Sequence, residues 1–206
     1  MRKNMYNKII PLALERNTTI FAILFFFLLG ISVGTFMELM LSAQDKNDLL
    51  QYLNQNLFAV KLSSDSFPQI FVNSVGNNLG LLILIALSGV TVIGFPVALL
   101  SVAYKGVTLG FSSALLLDTL SLKGSALILL TMVPQNIILV PILLLAAICA
   151  TNFAFNTLSN RRSGIKKSLT NNAGSYVLYY ILFSLLILIG CLIESFICPI
   201  LLQLIG

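Results

Sequence analysis

Two charges in this chain lie where charge is expensive. Lys105 follows 39 uncharged residues, from Ser66 to Tyr104, and Glu194 interrupts the apolar run from about Ser175 to Ile205. A lysine at mid-membrane costs about 2.5–3.5 kcal/mol on insertion scales unless it is paired, hydrated or snorkelling. Gly106 follows Lys105 and lets a neighbouring backbone approach, so the pattern predicts a structural charge whose ammonium either snorkels or is held by carbonyls freed in a broken span. Glu194, with apolar residues on both sides and Pro199 beyond, needs a hydrogen-bond partner or a proton. A third unusual stretch is Val133-Pro134-Gln135-Asn136, followed by Pro141. Two prolines seven residues apart, with an amide pair beside the first, predict a kinked or broken helix whose freed groups are satisfied inside the protein.

The residue inventory removes most catalytic chemistry. There is no His, which excludes Ser-His-Asp, Cys-His and His-ligated zinc sites. No phosphate-cradling Gly-x-x-x-x-Gly-Lys loop occurs. A Gly-x-Gly-Asp protease needs two membrane aspartates, and only Asp118 is placed for it. The inventory therefore argues against an enzyme, and no cofactor or metal is expected. Cys149, Cys191 and Cys198 all fall in apolar runs and read as buried free thiols. Glu38, Asp118 and Glu194 reach similar depths on one side of the predicted bundle, as an acidic mouth or as charges at the interface.

The elements that must position these groups are membrane spans. Hydrophobic residues make up 58% of the chain and charged residues 9%, too few charges to cover a soluble globule of 206 residues. A bilayer core of about 30 Å needs about 20 helical residues. The pattern predicts an all-α polytopic bundle with spans at about 17–41, 70–93, 96–117, 125–157 and 174–205, with helices broken or kinked near Lys105 and Pro134. The first run is too long for a signal peptide and reads as an uncleaved anchor. Gly94-Phe95-Pro96 supplies a tight turn between the second and third spans. Asn73, Asn77 and Asn78 are expected together near the outer interface. Residues 42–67 form a polar segment whose leucines recur at helical spacing, and Asp45 and Asp48 suit a helix N-terminus. With the basic segment 1–16 and the basic loop 158–172 inside, eight Lys or Arg lie on the cytoplasmic side and three outside. That asymmetry predicts a cytoplasmic N-terminus and an external C-terminus in the cell membrane. The basic clusters suit an anionic membrane face rather than nucleic acid.

Several local patterns occur in an order that resembles the stage II sporulation protein M family. They are Gly94-Phe95-Pro96, Lys105-Gly106 with Gly110-Phe111, Pro134-Gln135-Asn136 with Pro141, and Ile193-Glu194 with Pro199. More distant superfamily members resemble the chain less closely at one place: Gln135 stands where they have His, and Leu139 where they have Glu. The resemblance covers roughly residues 15–205. It implies a membrane scaffold of the engulfment machinery at the septal or engulfing membrane. Such a scaffold would hold the peptidoglycan-degrading stage II sporulation proteins D and P on its external face. The alternative is a small transporter or permease subunit with a polar path past Lys105, Glu194 and Pro134. For the scaffold, the outward polar residues Asp45, Asp48, Gln51, Asn54 and Gln55 are the first candidates for partner contact. Gly30 and Gly34, a small-xxx-small pair, are the second, for anchored partners or for a homo-oligomer.

Overall fold

The computed structural model describes residues 17–49, 51–52, 66–91, 94–159 and 165–205. Its long elements are all helical: α1 (Asn17–Leu39), α2 (Ser66–Val90), α3 (Gly94–Leu127), α4 (Val133–Ser159) and α5 (Ile165–Ile205). A π-helical turn, Ile128–Met132, lies between α3 and α4. Five stretches are long and apolar enough to cross a membrane: Thr18–Leu39, Pro68–Val90, Gly94–Thr119, Gly124–Thr157 and Ala173–Phe196. Helices are the expected solution, because hydrocarbon offers backbone amides and carbonyls no partner but one another. Large apolar side chains also point outward, Phe21, Leu87 and Ile181 each being more than half exposed. Lipid makes that surface inexpensive.

The fourth span is the axis of the bundle. Its apolar window is 61% buried, against 17–33% for the other four. Leu139, Leu143, Ala146 and Ala147 of α4 are buried together with Ile85 of α2, Val102 of α3 and Ile187 of α5. The alanines let α5 come close, and Tyr180 donates to the Ala146 carbonyl at 2.8 Å while Tyr176 donates to Ala86 of α2 at 2.7 Å. The rings of Phe95 and Phe155 meet at 5.5 Å, so α3 and α4 fold back on one another.

The helix α1 packs chiefly against α3, through glycines on both sides. A Cβ on Gly34 would lie 2.8 Å from the Phe111 nitrogen, and one on Gly110 would lie 2.9 Å from the Ile31 carbonyl carbon. Gly30 and Gly106 face the opposite backbone in the same way. Two Gly-xxx-Gly pairs thus cross at backbone contact, where dispersion between main chains replaces the hydrophobic drive that lipid removes. Gly30 and Gly34, expected to receive a partner, are already covered by the chain's own third span.

Four further expectations change. The third span does not break at Lys105, because α3 runs continuously through it and Gly106. Helical hydrogen bonds are kept, and Gly106 serves α1 packing rather than freeing carbonyls. The turn before α3 falls earlier than expected: Thr91 N donates to Ser88 O at 3.3 Å and Gly94 N to Thr91 O at 3.0 Å. Gly94 then opens α3 with Pro96 in its first turn, where a missing N–H costs nothing. The helix α5 begins at Ile165, inside the stretch 158–172 expected as loop, and continues past Pro199 to Ile205. Within 42–67, residues 43–49 and 51–52 are helical and Ser66 already belongs to α2, while Asn54 and Gln55 lie outside the described residues. The break expected near Pro134 is present as the π-helical turn, whereas Pro141 sits inside an uninterrupted α4.

Candidate functional site

The charged residues of the membrane interior are gathered into one network carried by four helices. Ser74 and Asn78, one turn apart on α2, point inward and are 6% and 5% exposed. Lys105 of α3 donates from Nζ to Asn78 Oδ1 at 3.0 Å. Asn78 Nδ2 donates back along α2 to the Ser74 carbonyl at 2.9 Å and to its hydroxyl at 3.5 Å. The Ser74 hydroxyl donates to Glu194 Oε2 on α5. Gln135 of α4, its amide nitrogen turned toward the carboxylate, donates to Glu194 Oε1 at 2.7 Å and Oε2 at 3.0 Å.

Every donor in this chain points from the ammonium toward the carboxylate. That order suits a cation at one end and an anion at the other, with the Asn78 amide and Ser74 hydroxyl aligned between them. An unpaired charge in a medium of low dielectric is penalised heavily, and an aligned set of dipoles offsets that penalty without water. Cys191, three residues before Glu194, and Ser195, the residue after it, are both fully buried, and Ser195 donates to the Cys191 carbonyl one turn back at 2.7 Å. Cys149 and Cys191 are free thiols; Cys191 is buried as expected, Cys149 is partly exposed, and the Cys198 side chain lies outside the described residues.

The local cause of Gln135's position is the proline before it. In a plain α-helix the Pro134 ring would strike the carbonyl four residues earlier, Leu130. That carbonyl belongs to the π-helical turn Ile128–Met132, whose wider hydrogen-bond loop gives the ring room. Asn136 Nδ2 donates to the Met132 carbonyl at 2.8 Å and ties the end of the turn. The Asn136 Oδ1 atom is buried without a partner among the described residues.

A second cluster closes one end of the bundle. Lys46 Nζ lies 2.7 Å from Glu38 Oε1 at the end of α1 and 2.7 Å from Asp118 Oδ2 on α3. Lys46 sits in the short helical segment 43–49. Ser42 caps that segment by accepting from Asp45 N at 3.2 Å, and its hydroxyl donates to Asp45 Oδ2 at 2.6 Å. Glu38 is 1% exposed, so the clasp reaches into the bundle end. The two carboxylates hold the Lys46 ammonium above its usual pKa. Asp45 and Asp48 are exposed beside it, as is Gln51.

The structure therefore joins Lys105, Gln135 and Glu194, which come from three separate sequence patterns, and leaves Gly106 packed against α1 and Pro141 on the exposed side of α4. The acidic mouth divides: Glu38 and Asp118 share Lys46, while Glu194 belongs to the interior network. The three asparagines divide as well, since Asn73 and Asn77 are exposed on the outer face of α2 and only Asn78 turns inward. Sequence reasoning does not single out Lys46 or Ser74. The place of Ser74 four residues before Asn78 was the available signal.

Against known families, residues 23–199 match the family model described as Stage II sporulation protein M. A search of curated proteins found no match, and a search of solved structures found none either.

Proposed function

Because the chain belongs to the stage II sporulation protein M family, we propose that it acts as a membrane scaffold of the engulfment machinery. It is a multi-pass membrane protein of a sporulation family, and its part in that process is to hold peptidoglycan-degrading proteins at the external face. The stage II sporulation proteins D and P are the partners that the family resemblance suggests. No reaction is assigned to the chain itself. The N-terminus lies in the cytoplasm, since eight basic residues then fall inside and three outside.

The observation that supports the reading is the Lys46 clasp. It fixes a polar segment at the bundle end that this topology puts outside. Asp45, Asp48 and Gln51 face away from the bundle there, and a contact of that size suits reversible recruitment. The test replaces Asp45, Asp48, Gln51, Asn54 and Gln55 with Ala, confirms normal membrane levels, and measures co-purification of wall hydrolases. Recruitment should fall while the protein level holds. Unchanged recruitment removes the segment from the mechanism, and no hydrolase with the unaltered protein removes the scaffold. In intact cells an impermeant maleimide should label Asp48→Cys and spare Ser163→Cys. The reverse pattern overturns the topology.

The Lys105–Glu194 network favours the second reading, a small transporter or permease subunit. Lys105→Met separates the two. The scaffold keeps hydrolase recruitment in this variant, whereas a permease loses its function with the protein still in the membrane.

A further inference from the structure

The outward face of α2 carries groups that lipid cannot satisfy. Asn73 and Asn77 are exposed and have no hydrogen-bond partner among the described residues. Their depth follows from the neighbouring Asn78, which bonds Lys105. Lys105 stands about 16 Å along α3 from Gly94 and about 20 Å from Asp118. Asn77 is about 14 Å beyond Pro68, where the α2 apolar stretch begins. Both counts put the amide of Asn77 within a hydrocarbon core about 30 Å thick, and Asn73, about 6 Å nearer the Pro68 end, lies in the outer part of that core. Water is not available there, and an amide without a partner is costly.

The exposed residues of this face form a seam. Gln69, Asn73, Gly76, Gly80, Ile83, Leu87 and Val90 recur at alternating steps of four and three, and all are exposed. This spacing is the repeat of two helices packed in a left-handed pair. A Cβ on Gly76 or Gly80 would meet no described atom within 4 Å, in contrast to Gly30, Gly34, Gly106 and Gly110. One Gly-xxx-Gly set is covered by the chain itself, and among the described residues the other is left open beside amides that have no partner.

We propose that a second copy of this chain covers the α2 seam, giving a parallel α2–α2 dimer. Two copies inserted by the same rules share one orientation in the membrane. A two-fold axis along the membrane normal then sets each seam residue against its own counterpart. An Asn amide has both a donor and an acceptor, so Asn73 facing Asn73 satisfies both sides, which a purely apolar partner helix does not. The glycines let the two backbones approach, and Ile83 and Leu87 close the far end. This inference does not depend on the scaffold reading.

Single cysteines at 72, 73, 76, 80 and 83, in a full-length chain with Cys149, Cys191 and Cys198 replaced by Ala, test it by oxidative cross-linking in native membranes. Positions 73, 76, 80 and 83 should give a product of doubled mass, and position 72, exposed but off the seam, should give at least about five-fold less. Gly80→Leu, whose Cβ would meet no described atom within 4 Å, should abolish the product at 73 with unchanged protein level. Equal cross-linking at 72 and 73 overturns the proposal. So does a cross-linked product of another mass, which would assign the seam to a different membrane protein. So does persistence of the dimer in Gly80→Leu.

Discussion

Replacing Gly34 by Ala adds one methyl group at the crossing of α1 and α3. That carbon would lie 2.8 Å from the Phe111 nitrogen, whereas ordinary contact begins at 3.4 Å. The shortfall is at least 0.6 Å, and it is larger toward the Val107 carbonyl oxygen. Both obstacles are backbone, so no side-chain rotation relieves them, and α1 must move away from α3. A gap of about 0.5–1 Å forfeits a quarter to a half of the dispersion energy at each affected contact. Overpacking of this kind costs about 1–3 kcal/mol. The usual helix-propensity gain of Ala over Gly does not offset it, because separated spans remain helical in the membrane. Gly76→Ala is the matched control, since its methyl meets nothing within 4 Å. It should change stability by less than about 0.5 kcal/mol in dilute detergent, where copies do not meet. The assay is denaturant-driven unfolding of the purified protein in mixed micelles. Equal unfolding midpoints for Gly34→Ala and Gly76→Ala would refute the glycine crossing as a source of stability.

Two other perturbations address the polar groups. Lys105→Met and Glu194→Gln should each destabilise the bundle, and the double variant should lose less than the sum by about 1–3 kcal/mol, because each single change strands the opposite charge. A strictly additive result in a double-mutant cycle would mean that the network does not couple α3 to α5. Lys46→Ala should release the segment 43–49, read as faster amide exchange there with α2 and α4 unchanged. The same release should occur with alkali. The Lys46 pKa is raised in the folded state, so the clasp is fully present below the usual value of 10.5 and is lost as pH climbs through the higher folded value. Exchange that stays slow at high pH would show that other contacts hold the segment.

The number, order and type of the elements were legible in the residues themselves. Long uncharged runs have one outcome in lipid, and the apolar stretch Gly124–Thr157 lies within a residue of the expected 125–157 at either end. Pro134 announced a local departure from the α-helix because its missing N–H and its ring act on the chain that carries them. The identity of partners was not legible. Asn73, Asn77 and Asn78 look alike along the chain, yet a rotation of 100° per residue turns Asn78 to Lys105 and leaves Asn77 outside. Gly30-xxx-Gly34 and Gly76-xxx-Gly80 are the same motif, and only the packing of α3 against α1 covers the first. Glu38 and Glu194 have comparable depths in their spans, but Lys46 reaches one and the Ser74–Asn78–Lys105 chain reaches the other. Hydrophobicity and proline geometry act locally, so sequence alone determines the spans and the break. A buried hydrogen bond depends on two side chains meeting from different helices, and only the tertiary arrangement decides which ones meet.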